Sequence, residues 1–235
     1  MIENKLNLSY LYQKLSALFN KLIKLKKIDR KSRLSRIWSN QELRRLAPSF
    51  RGSIVNVSGS NDEDKEGNFY RDYFQHKSSY TITNFTGDRG YSSRDNEILL
   101  DITDNLPKEL KHNFNVVFNH TMLEHVFDVF TAFRNLCDLS KDIVIIVVPF
   151  AQIQHSIGKS YGDYWRFTPT VIRELFRKNG FEVIYESESP YENAAVYLFF
   201  IASRDPTRWL NVFPKYKPIK RAGSWIGNKS RIRFF

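Results

Sequence analysis

The chain has 235 residues, of which 42% are apolar and 15% are aromatic, and its net charge is +11. These values exclude an intrinsically disordered chain and fit one α/β domain with extensions, or two small domains at most. The single cysteine, Cys137, excludes an internal disulfide framework and a cysteine-built zinc site.

Neither a secretory signal peptide nor a transmembrane helix is expected from the sequence. The N-terminal residues lack a compact apolar core followed by a small-residue cleavage site. The longest apolar run, 143–150, is far shorter than the ~20 residues that span a bilayer. Together with the single cysteine, this predicts a cytoplasmic protein.

Basic charge is concentrated at the two ends of the chain. Residues 1–51 contain 13 Lys/Arg and 3 Asp/Glu, residues 204–235 contain 9 Lys/Arg and 1 Asp/Glu, and the segment between them is acidic. We therefore expect the basic ends to serve docking rather than chemistry. The alternatives are an anionic membrane surface at the inner face of the cell membrane and packing on the domain or on a second copy of the chain. Nucleic acid is less favoured, because no nucleic-acid-binding module accompanies the charge.

Helical periodicity predicts an N-terminal extension over residues 1–50. Leucines recur at helical spacing over 5–28, with lysines between them. A second, short helix is predicted over 39–46, with Ser39 or Asn40 as its N-cap and Pro48 just beyond its end.

The rest of the chain alternates between strands and helices, which is typical of a parallel α/β sheet. Helices are predicted over 123–136 and 168–178, the second with Thr168 as N-cap and Pro169 at its first position. The last two strands are expected to pair antiparallel. The predicted strands lie at 53–57, 80–85, 97–101, 114–119, 143–150, 181–188 and 195–203. This order predicts a Rossmann-like, seven-stranded, mostly parallel sheet with helices on both faces over residues 51–205. The basic, aromatic tail, 206–235, either wraps this domain or stays mobile.

Four short motifs in the second half of the chain carry a resemblance to a known family. They are LEHV at 123–126, VPF at 148–150, DYWRFTP at 163–169 and NGFEVI at 179–184. The segment resembles the class I S-adenosylmethionine-dependent methyltransferases, in the branch often found in bacterial surface-glycan gene clusters. The resemblance implies S-adenosylmethionine as cofactor. No metal is expected, because the acidic residues and histidines show no ligand spacing.

The cofactor site implied by the resemblance follows the strand ends, where an open parallel sheet binds ligands. After the first strand the family carries an acid and a Gly-x-Gly pattern. This chain departs from that pattern, so the motif is degenerate here. Asn84 stands where an acid binds ribose, Asp101 and Ile102 match the adenine contacts, and the fourth strand ends near the methionine part. The predicted cofactor residues are Asn56, Ser58, Gly59, Ser60, Asn84, Asp101, Ile102, Asn119 and His120.

The acceptor site is predicted in the loops after the fourth and fifth strands. His155 is the first candidate for a base that removes a hydroxyl proton. Asp163 is the second candidate, as base or as orienter of the histidine. The predicted substrate-binding residues are His125, Tyr164, Trp165 and Arg166.

Each of these acceptor-site residues also has a structural interpretation. The Glu124-His125 pair is typical of capping hydrogen bonds that tie the fourth strand to its helix. Trp165 and Arg166 are typical of a segment packed under a loop, with Arg166 in an ion pair.

Three functions agree with these features. The first is O-methylation of a sugar or related small molecule in surface-glycan biosynthesis. The second is a binding or scaffold subunit with a methyltransferase fold and no catalysis, which the changes at Asn56, Ser58, Ser60 and Asn84 favour. The third is an RNA methyltransferase, which the basic ends favour.

Overall fold

The computed structural model describes residues 33–64, 66–87, 90–155, 162–190, 194–213, 215–220 and 222–223. The predicted helix over 5–28 lies outside these residues. Within them, no helix is both long and apolar enough to cross a membrane.

One seven-stranded sheet organises the molecule. Its strands are β1 (Arg51–Val57), β2 (His76–Asn84), β3 (Glu97–Leu99), β4 (Phe114–His120), β5 (Ser140–Pro149), β6 (Glu182–Glu188) and β7 (Tyr197–Ser203). They lie in the order β3-β2-β1-β4-β5-β7-β6, and β7 runs antiparallel to both of its neighbours. The predicted mostly parallel, Rossmann-like sheet is confirmed. The strand order reverses between β1 and β4, which is where such sheets bind ligands, beyond the carboxyl ends of the strands.

Within the described ranges three α-helices flank the sheet: α1 (Arg33–Leu46), α2 (Val129–Leu139) and α3 (Pro169–Lys178). The start of α3 is as predicted, with the Thr168 side chain accepting a hydrogen bond from the Val171 amide and Pro169 at the first position. The start of α2 lies later than predicted. A 3₁₀ turn, Leu123–His125, follows β4, and Asp128 then caps α2 by accepting from the Thr131 amide.

The core lies on both faces of the sheet, because β5 is apolar from Ile143 onwards and this part is buried on both sides. Val144 and Ile146 belong to the cluster that contains Phe133 of α2. Ile145 belongs to the opposite cluster, which contains Phe50. The helices therefore cover both faces, with α2 and α3 on one side and α1 on the other.

The predicted start of the second helix at Ser39 or Asn40 is wrong, because α1 already begins at Arg33. Both polar residues lie inside α1 and are fully buried. Their side chains bind tertiary partners: Asn40 donates to the Asp64 carbonyl over 2.9 Å, and Ser39 contacts His120. Farther along, Leu43 of α1 packs into the core with the β-strands.

The described part of the C-terminal tail packs on the domain. A 3₁₀ turn, Pro206–Trp209, leads to Phe213, which is 7% exposed. The Phe213 ring lies 6.0 Å from the ring of Phe50 and 6.1 Å from that of Tyr185. Gly223 then forms an isolated bridge with Ala194. The tail was expected either to wrap the domain or to stay mobile, and these residues wrap the domain.

Candidate functional site

A cleft of about 1350 Å³ lies beyond the carboxyl ends of the parallel strands. Its volume exceeds the roughly 300–1,000 Å³ of ordinary small-molecule pockets, so it has room for two ligands side by side. It brings together most of the predicted site residues: Asn56, Ser58, Gly59, Ser60, Asn84, Asp101, Ile102, His120, His125, His155 and Tyr164. The other predicted site residues, Asn119, Asp163, Trp165 and Arg166, do not line it.

The turn after β1, residues 58–62, has an unusual backbone, and we call it the serine turn. Ser58 and Ser60 have φ angles of 56° and 49°, and Asp62 has 65°. This left-handed region favours glycine, so each of these residues is strained. Gly59 is required for a different reason, since a Cβ atom there would lie 2.6 Å from Asn56 Nδ2. The serines thus adopt the backbone conformation that glycines usually provide.

The buried Asp62 holds the serine turn in this conformation. One carboxylate oxygen accepts from Asn56 Nδ2 over 2.8 Å and from the Tyr80 hydroxyl over 2.6 Å. The other accepts from the backbone and the side chain of Arg71. Strained turns persist where their surroundings fix them, and four hydrogen bonds to one carboxylate do so here. Asn56, predicted to bind cofactor, uses its amide nitrogen for this support.

Asn84, at the end of β2, supports the same turn. Its Oδ1 accepts from the Ser60 amide over 2.8 Å, and its Nδ2 donates to the Ser60 carbonyl and to Glu97 Oε1. Burial alone would raise the pKa of Glu97, but hydrogen bonds from Arg94 and Asn84 lower it to about 2. Because both amide hydrogens of Asn84 are already donated, its ribose-binding role stays a prediction that these bonds do not favour.

The bend after β3 keeps one carboxylate oxygen available to a ligand. Asp101 Oδ1 accepts from the amide and the hydroxyl of Thr103, over 2.8 and 2.7 Å. Its Oδ2 makes no hydrogen bond within the described part of the chain. The neighbouring Ile102 is buried, and its carbonyl accepts from Asn135 Nδ2 over 2.8 Å. The bend is therefore fixed from both sides while Asp101 remains on the cleft wall.

At the end of β4, Asn119 and His120 differ in their placement. Asn119 is fully buried and donates to the Val57 carbonyl over 2.9 Å, so it ties β4 to β1 instead of lining the cleft. Its predicted place at the cofactor stays a prediction, which this burial does not favour. His120 does line the cleft, and its Nδ1 lies 2.5 Å from Arg36 Nη1. Its Nε2 lies 2.8 Å from Ser39 Oγ, which itself donates to the Arg36 carbonyl.

These contacts assign the His120 tautomer. Arg36 only donates, so Nδ1 accepts, and Nε2 carries the proton that it donates to Ser39 Oγ. Two α1 residues thus reach the cofactor side of the cleft and orient the His120 ring. The sequence does not reveal this contact, because Arg36 and His120 are 84 positions apart.

On the acceptor side, Asp163 forms a buried ion pair with Arg166 over 2.6 Å. Hydrogen bonding from Arg166 lowers the pKa of Asp163 to about 2, so Asp163 is an anion and a poor base. Its Oδ2 accepts from the His155 amide over 2.6 Å and lies 3.4 Å from His155 Nδ1. Of its two predicted roles, this geometry fits the orienter of His155. Arg166 was interpreted either as a substrate-binding residue or as part of an ion pair, and this geometry fits the ion pair.

The adjacent residues Tyr164 and Trp165 have different environments. Tyr164 is exposed, whereas Trp165 supports the backbone. Tyr164 is 52% exposed, and its ring meets that of Phe127 edge-on at 5.3 Å. Trp165 instead donates from Nε1 to the Val126 carbonyl over 2.9 Å, and its ring lies outside the cleft wall. The predicted substrate-binding role therefore remains open for Tyr164 and is not supported for Trp165.

Glu124 and His125 line the cleft between its cofactor side and its acceptor side. His125 has Nδ1 2.6 Å from the Gly162 carbonyl, and burial lowers its pKa, so it is a neutral donor there. Glu124 is 1% exposed and lines the cleft, and its Oε2 has no hydrogen-bond partner among the described residues. Burial raises the pKa of Glu124 to about 7. The sequence predicted either capping by this pair or substrate binding by His125, and it did not reveal a buried carboxyl group, because burial is not visible in the motif.

Among the described residues, no group of three or more His, Cys, Asp or Glu side chains is arranged to hold a metal ion.

No family model and no curated protein matches this sequence. Solved structures do match. A candidate methyltransferase from Haloferax volcanii, in complex with the Trm112 methyltransferase activator, is 14% identical over 75% of this chain and 93% of its own, with a TM-score of 0.52. A candidate methyltransferase from Bacillus halodurans is 10% identical over 70% of this chain and 98% of its own, with a TM-score of 0.50. At these identities the comparisons establish architecture, and the chain has the fold of the class I S-adenosylmethionine-dependent methyltransferases.

Proposed function

We propose that the chain is an S-adenosylmethionine-dependent methyltransferase that methylates a hydroxyl group of a sugar or related small molecule in bacterial surface-glycan biosynthesis. The observation that carries the proposal is the strained serine turn, whose backbone at Ser58 and Ser60 has the glycine-like conformation beside a large cleft. Strain of this kind is typical of functional sites. When bound, the cofactor supplies an electrophilic methyl group, while the protein supplies binding and alignment.

The residues of the cleft fit such a cofactor. Gly59 leaves no side chain on a turn that a nucleoside must approach closely, and Asp101 retains one carboxylate oxygen for a hydroxyl or amine of that nucleoside. Asp101 and Ile102 would hold the adenosine part. His120, in its fixed tautomer, would lie at the methionine part.

The other half of the cleft supports an acceptor with a hydroxyl group. His155 lines it and would remove the hydroxyl proton, with Asp163 orienting the imidazole. The half-exposed Tyr164 ring offers an apolar wall of the kind that packs against a sugar face.

Calorimetric titration of the purified protein with S-adenosylmethionine and S-adenosylhomocysteine tests this proposal. We expect micromolar binding that Asp101→Ala abolishes and that Asp104→Ala, an exposed acid at the same bend, leaves intact. Absence of binding at millimolar ligand, with the protein shown to be folded by circular dichroism, would overturn the proposal.

That negative result would favour a second candidate, a scaffold subunit that has the fold without the chemistry. The specific observation in its favour is Asn84, because an amide with both hydrogens donated within the protein stands where an acid would bind ribose.

A further inference from the structure

Glu124 is a buried carboxyl group to which the proposed reaction gives no role. It lies on the cleft wall with Oε2 unpartnered among the described residues. A buried acceptor without a hydrogen bond destabilises the fold, so the side chain is kept there at the expense of stability. A perturbed acid in a cleft is a candidate for ligand recognition.

Charged groups face Glu124 from three elements. Arg36 comes from α1, Arg166 and Asp163 come from the loop after β5, and His125 comes from the same turn, with Nε2 3.8 Å from Glu124 Oε1. Burial has the largest effect on the pKa of Glu124 and raises it, while the two arginines lower it. The carboxyl group is therefore balanced near neutral pH, and one more positive charge in the cleft would ionise it.

The surroundings of Glu124 favour a cation or a strong hydrogen-bond donor. Gln152 lines the same cleft, and its Oε1 is a second buried acceptor without a partner in the described chain. Two exposed apolar side chains also line the cleft, Phe127 at 73% and Ile153 at 74% exposure. A carboxylate attracts a cation more strongly where apolar groups exclude water.

We propose that Glu124 makes the cleft select a positively charged ligand over its neutral counterpart, so that a sulfonium cofactor binds more tightly than the thioether that remains after reaction. This inference rests on the proposed function. In methyl transfer, a bond forms between the acceptor oxygen and the methyl carbon, and the carbon–sulfur bond breaks with its electron pair left on sulfur. The hydroxyl proton goes to His155. The sulfur is then neutral, so Glu124 loses its partner and the product leaves more readily.

The probes that test this are sinefungin, a stable analogue with a cationic amine in place of the sulfonium methyl group, and S-adenosylhomocysteine, which has a neutral sulfur. Calorimetry at pH 6 in buffers of different ionisation enthalpy measures affinity and proton release together. We expect sinefungin to bind about tenfold more tightly than S-adenosylhomocysteine and to release more than roughly half a proton per site. Proton release should vanish at pH 8, where Glu124 is already ionised.

Glu124→Gln should abolish both the preference and the proton release while S-adenosylhomocysteine affinity is retained. Glu63→Gln, which removes an exposed carboxylate from the same cleft, is the matched control and should retain both. If the natural protein binds sinefungin and S-adenosylhomocysteine with equal affinity and releases no proton, the inference about Glu124 is overturned while the proposed function stands. The same holds if Glu124→Gln keeps the preference for sinefungin. If neither ligand binds the folded protein, the inference and the proposed function fail together. Should Glu124→Gln not fold, the proton counts of the natural protein at pH 6 and pH 8 decide.

Discussion

The burial of Glu124 also leads to a prediction about stability. Because burying this carboxyl group costs free energy, that cost should appear in the free energy of unfolding. Its pKa rises from an ordinary 4.5 in the unfolded chain to about 7 in the fold. The protonated carboxyl therefore contributes stability that is fully present below pH ~4.5 and is lost as the pH rises through about 7.

Glu124→Gln should accordingly unfold at higher urea concentration than the natural protein at pH 8, by roughly 1–3 kcal/mol in free energy, and differ little at pH 5. Urea titrations of both proteins at the two pH values measure this. Glu63→Gln should run parallel to the natural protein throughout. A constant offset between Glu124→Gln and the natural protein at both pH values would mean that the carboxyl group does not titrate in the fold near neutral pH.

The serine turn shows what sequence could predict at the residue scale. The positions of Ser58, Gly59 and Ser60 after the first strand predict a loop at the ligand-binding edge, and the structure places it there. The positive φ angles at the serines could not be predicted, because serine adopts them only when its surroundings require it. Those surroundings are Asp62 and Asn84, and their hydrogen bonds depend on how β1 and β2 pair.

At the scale of elements, the strands were the most predictable part. The runs 116–118 and 143–148 are apolar without alternation, because β4 and β5 are covered on both faces. The start of α1 could not be predicted, because its apolar pattern is interrupted. Its buried polar residues, Ser39 and Asn40, break the apolar period, and they are satisfied by His120 and Tyr70, 81 and 30 positions away.

The loop after β5 depends on the Asp163–Arg166 pair, which gives a prediction at this scale. Asp163 has a buried side chain, and Arg166 is 26% exposed. Arg166 lowers the pKa of Asp163, so the pair contributes stability above pH ~3.8 that is lost as the pH falls through about 2. Removing one partner of such a pair leaves the other charge uncompensated.

Asp163→Asn should therefore lower the free energy of unfolding by about 1–3 kcal/mol at pH 7 and speed hydrogen exchange at the His155 amide. Denaturant titration and exchange measurements detect the two effects. Glu174→Gln is the control, because its pair with Arg177 is 45% and 70% exposed and should contribute almost nothing. Unchanged exchange at His155 would show that Asp163 does not order this loop.

At the scale of the whole molecule, topology predicts where a ligand binds better than it predicts which side chains meet it. The strand-order reversal between β1 and β4 places the cleft, and the strand ends supply most of its wall. Asn119 and Trp165 are also close to strand ends or loops in sequence, yet their side chains donate to the Val57 and Val126 carbonyls. Side-chain direction at a strand end depends on neighbours that sequence spacing does not specify.

The basic tail gives the last prediction, because its Phe213 belongs to the core although most of its other described residues are exposed. Phe213 packs between Phe50 and Tyr185 and is 7% exposed. Phe213→Ala should lower the free energy of unfolding by about 3 kcal/mol through the cavity it leaves. Leu210→Ala, at a position 73% exposed, should change it by less than about 0.5 kcal/mol. Equal stability of the two variants in urea would mean that the tail is not anchored at Phe213 and leaves the face of the sheet beside Phe50 open.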